Sequence, residues 1–201
     1  MIVNTSLLGR RILLRPLRPD DFWAWQEVRR RNLDWLTKWE PRRPDGAPDP
    51  VVDRSAFALR CHARDREWQS GAGYGFGVFV GGSFCGEINL NAVQRGPFQS
   101  AYLGYWIDEE QAGRGYTPEG VVMVLRFAFE ELNLHRVQIS IVPRNESSLR
   151  VVEKLRLRNE GTALRYLEIN GVWEDHIRYA ITSEEWQVRR AEIVGTWISP
   201  T

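Results

Sequence analysis

In the first third of the chain, one short apolar segment comes first, and the apolar residues after it recur at helical spacing. Ile12–Arg15 is predicted to form a strand that ends before Pro16. Four prolines between residues 41 and 50 then indicate a loop between helices. The predicted helical segments run from Pro19 past Phe22, Trp25 and Val28 towards Asn32, over Leu33–Trp39, and from Asp53 to about Trp68.

The apolar pattern changes to a period of two after Gly75, which indicates β-strands. Two short segments, Gly81-Gly82-Ser83 and Asn170-Gly171, are typical of hairpin turns. The predicted strands are Phe76–Val80, Phe84–Leu90, Ala101–Ile107, Arg136–Val142, Arg165–Ile169 and Val172–Ile181.

Further helices alternate with the later strands. Pro118–Leu132 is apolar on most faces and is predicted to be a buried helix. Ser147–Leu157 is amphipathic, and Ser183 is predicted to cap a final helix. Helices, then antiparallel strands, then a strand–helix–strand crossover predict a single mixed α/β domain over residues 1–201.

Composition narrows the class of protein. Lys plus Arg number 27 and Asp plus Glu number 26, a net charge of +1 that argues against a dedicated nucleic-acid binder. The charges are unevenly spread, because residues 1–66 hold 14 basic and 9 acidic side chains and residues 67–135 hold 3 and 8. Cys61 and Cys85 match no metal spacing, so reduced thiols and no metal are expected. No signal peptide or membrane span is visible, which predicts a cytoplasmic protein without membrane contact.

The segment Gly104–Thr117, GYWIDEEQAGRGYT, has the composition of an anion-binding turn. Gly113 and Gly115 lie between a strand and a helix, with Thr117 as a candidate cap and Pro118 at the first helical position. Backbone N–H groups of such a loop and helix start can bind a pyrophosphate. An ordinary strand-to-helix loop is the alternative. A nucleotide P-loop is excluded because no Gly-Lys-Ser/Thr follows. A dinucleotide fingerprint is excluded because the third glycine, Gly120, comes two residues late.

Six blocks of the sequence, which include the glycine loop, follow one another over nearly the whole chain. The blocks are Arg11–Asp21, Trp35–Pro41, Gly104–Gly120, Val142–Leu155, Asn159–Thr162 and Gly171–Tyr179. Together and in this order they resemble the GCN5-related N-acetyltransferase (GNAT) family, and within it the RimJ/RimL ribosomal-protein N-terminal acetyltransferases. The resemblance implies a GNAT-type domain, with a mixed, mostly antiparallel twisted sheet, flanking helices and a splayed central strand pair.

The resemblance implies acetyl-CoA as the acetyl donor. The family pattern Gln/Arg-x-x-Gly-x-Gly/Ala aligns with residues 112–117, where Ala112 and Thr117 depart from it. Backbone amides do most of this binding, so we expect the site to survive both departures. The strand before the loop is implied to splay from its neighbour and to pair with the pantetheine. The implied donor-binding residues are Trp106, Ile107, Asp108, Gly113, Arg114, Gly115, Tyr116, Thr117, Asn145 and Ser148.

Ser148 matches the residue that in RimL-like members is proposed to protonate the leaving thiolate; its alternative role is a helix cap. The Glu and Tyr used by RimI-like members are absent, since Ser140 and Val152 stand at those positions. A protein α-amine has a pKa of about 7.7–8.0 against about 10.4 for Lys, so it asks little of a general base. The candidate bases are Glu87, Glu40 and Asp175, each of which could equally be a structural or surface carboxylate.

Trp35, Trp39 and Glu40 resemble the acceptor loop of the RimJ/RimL group, and Glu40 could pair with the incoming ammonium group. The two tryptophans could instead be core anchors at i, i+4 spacing. Tyr179 is either a wall of the acceptor pocket or part of the core. The three histidines form no metal pair and receive no role.

The hypothesis is therefore direct acetyl transfer from acetyl-CoA to a protein N-terminus, with Ala, Ser or Thr first and a ribosomal protein as the first candidate. One alternative is a small-molecule acetyltransferase acting on an aminoglycoside or a polyamine, which would need an acidic acceptor pocket. Another is a non-catalytic module that uses the basic first third to dock on the ribosome. A monomer and a homodimer both remain open.

Overall fold

The computed structural model describes residues 5–198, which form one mixed sheet with helices on both faces. The helices are α1 (Phe22–Arg31), α2 (Leu33–Thr37), α3 (Arg54–Ser70), α4 (Tyr116–Arg126), α5 (Glu146–Lys154) and α6 (Ser183–Trp197). The strands are β1 (Leu7–Leu8), β2 (Ile12–Arg15), β3 (Tyr74–Val80), β4 (Ser83–Gln94), β5 (Ser100–Ile107), β6 (Arg136–Ile141), β7 (Arg158–Ile169) and β8 (Val172–Thr182).

The strand order is β1-β2-β3-β4-β5-β6-β8-β7, and every neighbouring pair is antiparallel except β5 and β6. These two parallel strands pair only over Ser100–Tyr102 and Arg136–Gln138. Beyond that point β5 stays paired with β4, and β6 stays paired with β8. The predicted splayed central pair is therefore confirmed, and it opens a gap in the middle of the sheet.

Two apolar clusters cover opposite faces of the sheet, as the alternation of side chains along β3 requires. The larger cluster packs α4, α5 and α6 against the sheet through residues such as Val78 and Ile88. The smaller cluster joins α1 and α3 to β3 and β4 and includes Phe57, a fully buried ring, and Phe79. The predicted mixed sheet flanked by helices is thus confirmed.

Close packing of α4 on the sheet depends on Gly120. A Cβ at this position would lie 2.3 Å from Cδ1 of Ile88, which is closer than real carbon atoms approach. The apolar sequence from Val121 to Leu125 is buried around it, as its composition predicts. This packing brings the start of α4 to the open end of the splay.

Several predicted boundaries need correction. Thr182, not Ser183, caps α6, because its side chain accepts a hydrogen bond from the Glu185 backbone N–H. The helix predicted from Pro118 begins at Tyr116, and its last part, Phe127–Glu131, is a π-helical segment. Between residues 5 and 198 no helix has the length and apolar character needed to cross a bilayer.

Candidate active site

The gap between β5 and β6 leads into a cleft with two connected cavities. The larger cavity, of about 670 Å³, lies between the sheet and the segment that contains α1, α2 and α3. The smaller cavity, of about 130 Å³, lies at the loop before α4. The two share five wall residues, which are Trp35, Ile107, Thr117, Ser147 and Val151. A ligand in the cleft could therefore reach from the glycine loop to the larger cavity.

The smaller cavity is built on the predicted pyrophosphate loop. Gly113 and Gly115 have φ angles of +77° and +84°, a region that L side chains rarely adopt. Both glycines line the cavity together with Tyr116 and Thr117. Gly115 is the N-cap of α4, so the prediction that Thr117 caps this helix is wrong. The loop and first turn together present glycines and helix N–H groups to one small cavity, which suits a diphosphate.

The end of β5 forms the rim between the cavities. Trp106 and Ile107 line the larger cavity, and the Trp35 indole N–H donates to the Ile107 carbonyl at 3.2 Å. Asp108 is placed differently, because its buried carboxylate accepts hydrogen bonds from Arg31 and Asn32. Burial opposes its ionisation, but these two partners outweigh burial and lower the pKa of Asp108. Asp108 thus fixes the end of β5, and its carboxylate is already engaged by protein.

The start of α5 forms the wall opposite β5. The Asn145 side chain caps this helix by accepting from the Ser148 backbone N–H at 3.1 Å. The alternative that Ser148 is itself the cap is therefore wrong. The Tyr105 hydroxyl donates to the Ser148 carbonyl at 3.0 Å, which ties α5 to β5 across the gap. Both hydrogen bonds are made by backbone atoms of Ser148, and Ser148 lines the larger cavity.

Glu87 lies on the floor of the larger cavity and is almost fully buried. Its Oε1 accepts from the Trp25 indole N–H at 2.7 Å, and its Oε2 accepts from Arg60 at 2.5 Å. Burial alone would raise the pKa of this carboxyl, but the charge of Arg60 and both hydrogen bonds lower it. A carboxylate with both oxygens engaged and a lowered pKa is a weak proton acceptor.

The predicted acceptor residues Trp35, Trp39 and Glu40 all line the larger cavity. Neither tryptophan is fully buried, so neither is the core anchor that the alternative required. Arg29 holds Glu40 with two hydrogen bonds of 2.6 Å, one to each carboxylate oxygen. The Glu40 carbonyl also accepts from the Asn170 backbone N–H at 2.8 Å, which joins this loop to the β7–β8 hairpin.

Tyr179 and Asp175 lie on β8, and neither is among the described residues that line the two cavities. Tyr179 is buried in the larger apolar cluster, where it faces Ile139 in the strand register. Asp175 accepts from the Arg165 backbone N–H at 2.7 Å within the hairpin. Arg114 contributes a backbone carbonyl to the loop and is also absent from the described lining of both cavities.

Sequence patterns missed the arginines that surround the larger cavity, which are Arg29, Arg43, Arg60 and Arg64. For Arg29, Arg43 and Arg60 the acidic partners lie in an irregular loop or far along the chain, so spacing gives no signal for them. The one available signal was position, because Arg29 follows Trp25 by one helical turn and therefore shares its buried face.

These arginines neutralise the carboxylates of the cavity. Glu40 pairs with Arg29, Asp49 with Arg43 at 2.5 Å, and Glu87 with Arg60. Arg64 also lines the wall and pairs with Glu67 at 2.7 Å. Each carboxylate in the lining of this cavity thus has an arginine partner, and the cavity is not an acidic pocket.

Neither cysteine is placed to act as a nucleophile. Burial raises the pKa of Cys61 to about 11 and that of Cys85 to about 12, so both remain thiols near neutral pH. Within residues 5–198 no cluster of His, Cys, Asp and Glu side chains is arranged to hold a metal ion.

A splayed parallel strand pair, a glycine loop at a helix start and a cavity that opens onto both are the features that the resemblance implies for an acetyl-CoA-dependent N-acetyltransferase. Comparison with known proteins agrees, because residues 11–158 match the family model described as acetyltransferase (GNAT) domain. The chain belongs to the GNAT family.

Among its relatives, the chain is 33% identical over 181 residues to the Probable N-acetyltransferase YjcK of Bacillus subtilis, covering 89% of this chain and 98% of YjcK. It is 29% identical to the [Ribosomal protein uS5]-alanine N-acetyltransferase of Escherichia coli, and the match covers 92% of this chain and 94% of that enzyme. The structure of Mycobacterium smegmatis RimJ in complex with CoA-disulfide superimposes with a TM-score of 0.88 at 29% identity, covering 96% of this chain and 94% of RimJ.

Proposed function

We propose that this protein transfers the acetyl group of acetyl-CoA to the α-amine of a protein N-terminus that begins with Ala, Ser or Thr. The observation that carries this proposal is the ion pairing in the larger cavity, since an arginine neutralises each of its carboxylates. A polyamine or an aminoglycoside carries several positive charges and needs unpaired carboxylates. A peptide N-terminus brings one amine, followed by backbone that the tryptophans of the cavity can cover.

Residues on both sides of the splay would hold the donor. Gly113, Gly115 and Tyr116 would bind its diphosphate through backbone N–H groups. The free edge of β5 near Trp106 and Ile107 would pair with the pantetheine amides, because β6 has diverged at this level. Acetyl-CoA supplies a thioester whose carbonyl carbon accepts the amine while the C–S bond breaks.

The proton steps require little of the protein. The acceptor must lose one proton to solvent before attack, and at pH 7.5 roughly a third of α-amines are already neutral. After attack the nitrogen releases a second proton. We propose that the hydroxyl of Ser148, at the start of α5 in the cleft wall, gives its proton to the departing sulfur and is reprotonated by the proton that the nitrogen releases. Backbone N–H groups at the free edge of β5 would stabilise the developing oxyanion.

Glu40 and Glu87 take different parts in this proposal. Glu40 is part-exposed at the cavity wall. Arg29 balances its charge, but each carboxylate oxygen keeps a second lone pair that could accept a hydrogen bond from the single ammonium group before this group loses its proton. Glu87 is held too firmly by Arg60 and Trp25 to serve as the base, so we assign it to fixing the cavity floor. A ribosomal protein is the acceptor that the uS5-alanine N-acetyltransferase relative favours.

The test is release of CoA in the presence of short peptides that begin with Ala, Ser or Thr and contain one internal Lys. The matched control is each peptide with a formylated N-terminus, which leaves the Lys as the only amine. The proposal expects turnover with the free peptides and loss of nearly all of it after formylation. Equal turnover of both forms would contradict it, because acetylation would then be directed at the Lys.

A further inference from the structure

Arg11 reaches from the start of β2 to the glycine loop more than 100 residues away in sequence. Its Nη1 donates to the Arg114 carbonyl at 2.8 Å, and its Nη2 donates to the Gly115 carbonyl at 3.1 Å. The guanidinium also lies 5.2 Å from the centre of the Tyr116 ring. One side chain therefore contacts three consecutive residues of the loop and helix start.

The same guanidinium neutralises Glu119, whose side chain is fully buried in the first turn of α4. Arg11 Nε donates to Oε2 at 2.8 Å, and the Arg11 backbone N–H donates to Oε1 at 2.7 Å. Gly9 leaves room for this carboxylate, because a Cβ there would lie 2.7 Å from Oε1. An uncompensated carboxylate at this helix start would oppose the binding of any anion to the loop.

The direction of the loop amides follows from peptide geometry. In a trans peptide the C=O and the next N–H point in opposite directions. Because Arg11 holds the carbonyls of Arg114 and Gly115, the N–H groups of Gly115 and Tyr116 point away from Arg11. Both of these residues line the smaller cavity.

We propose that Arg11 is the positioning residue of the loop that binds the diphosphate. Arg11 holds this loop so that the backbone N–H groups of the loop face the cleft, and it also neutralises Glu119. This inference rests on the proposed function only in taking acetyl-CoA as the donor. Arg11 acts through the loop and is not itself a catalytic residue. It should therefore affect donors that carry a diphosphate and spare donors that do not.

The first experiment compares Arg11→Lys with the wild type and with the exposed neighbour variant Arg10→Lys. Lys keeps a positive charge for Glu119 but cannot reach both loop carbonyls as a planar fork does. Calorimetry should show the Kd for acetyl-CoA raised about tenfold in Arg11→Lys, because the loop loses at least one hydrogen bond from a charged donor. Arg10→Lys should bind like the wild type.

A truncated donor separates positioning from general structural damage. S-acetylpantetheine lacks the diphosphate, so its kcat/KM should stay within about twofold of wild type in Arg11→Lys. An equal loss with both donors would overturn the inference and leave Arg11 a structural residue. An unchanged Kd for acetyl-CoA would also overturn it. A wild-type protein that binds no acetyl-CoA would overturn the proposed function together with it.

A second pair of variants covers the case in which Arg11→Lys does not fold. Glu119→Gln removes the buried charge, and Arg11→Gln can then be added in that background without leaving a carboxylate unpaired. The double variant should bind acetyl-CoA about tenfold more weakly than Glu119→Gln alone, with both melting cooperatively. Equal affinities of the two would overturn the inference.

Discussion

Glu87 shows how burial and ion pairing together set the chemistry of one carboxylate. In water a carboxylate beside a reacting amine is a plausible base, and burial alone would make Glu87 a stronger one. Arg60 and Trp25 reverse this effect, because they stabilise the charged form and lower the pKa of Glu87. The pairing therefore makes Glu87 an anchor between α1, α3 and β4.

The anchor role predicts a stability effect that depends on pH. Since the pKa of Glu87 is lowered on folding, its contribution is present above the unfolded value of about 4.3 and is lost as pH falls through the folded pKa. Glu87→Gln should cost about 2 kcal/mol at pH 7, the cost of weakening a charged hydrogen bond at a buried site. Urea unfolding at pH 7 and again below pH 4 checks this. The difference in unfolding free energy between the wild type and Glu87→Gln should be smaller at the lower pH. A difference that is constant with pH would contradict the anchor role.

Ser148 and its neighbour Ser147 both line the cavity, which offers a matched pair of substitutions. If the Ser148 hydroxyl protonates the leaving thiolate, Ser148→Ala should lower kcat about 100-fold and leave the Kd for acetyl-CoA within about twofold. Ser147→Ala should change neither value appreciably. Stopped-flow turnover and calorimetry check the two quantities separately. A parallel loss of binding and turnover in Ser148→Ala would indicate a structural residue.

At the scale of elements, two helices are capped by side chains at their N-termini, and only one of these caps lies at the cleft. Asn145 caps α5 at the cleft, and Thr182 caps α6, a helix with no described residue in the lining of either cavity. Either cap replaced by Ala should cost about 1 kcal/mol of stability. Only Asn145→Ala should also slow acetyl transfer, because it loosens the turn that carries Ser148. Thermal melts and turnover of the two variants check this, and equal turnover would contradict it.

The elements that could be predicted are those with strong local signals. Asp53 was expected to start α3, and its side chain does accept from the Ser55 backbone N–H at 2.7 Å. Asn170-Gly171 was expected to turn the last hairpin and does so. β7 was predicted to begin at Arg165, but it begins at Arg158. Its polar edge-strand sequence, positive φ at Gly161 and irregular register hide the alternation on which the prediction relied.

The candidate site could be predicted only where short patterns mark it. The glycine loop and the Asn-x-x-Ser segment at 145–148 are each contiguous in sequence. Gly113, Gly115, Asn145 and Ser148 line the two cavities. For Tyr179 the sequence leaves a pocket wall and the core both open, because one-residue alternation along β8 decides which face a side chain takes. In the structure Tyr179 faces the core. Arg11, Arg29 and Arg60 could not be predicted, because each depends on tertiary contacts.

At the scale of the whole molecule, the uneven charge along the sequence becomes internal ion pairing. Arg11, Arg31 and Arg60 of the basic first third pair with Glu119, Asp108 and Glu87 of the acidic middle. All three carboxylates are buried. Three arginines that could have contributed to a docking surface are thus used in internal ion pairs.

The central claim is that this cleft directs acetyl groups to a protein α-amine, and a competition between acceptors tests it most directly. One reaction would contain acetyl-CoA, a peptide with a free N-terminal Ala and an internal Lys, spermine and an aminoglycoside at equal concentrations. Tandem mass spectrometry would then locate every acetyl group. The account predicts acetylation of the peptide α-amine, with little on Lys, spermine or the aminoglycoside. Preferential acetylation of spermine or the aminoglycoside would contradict it.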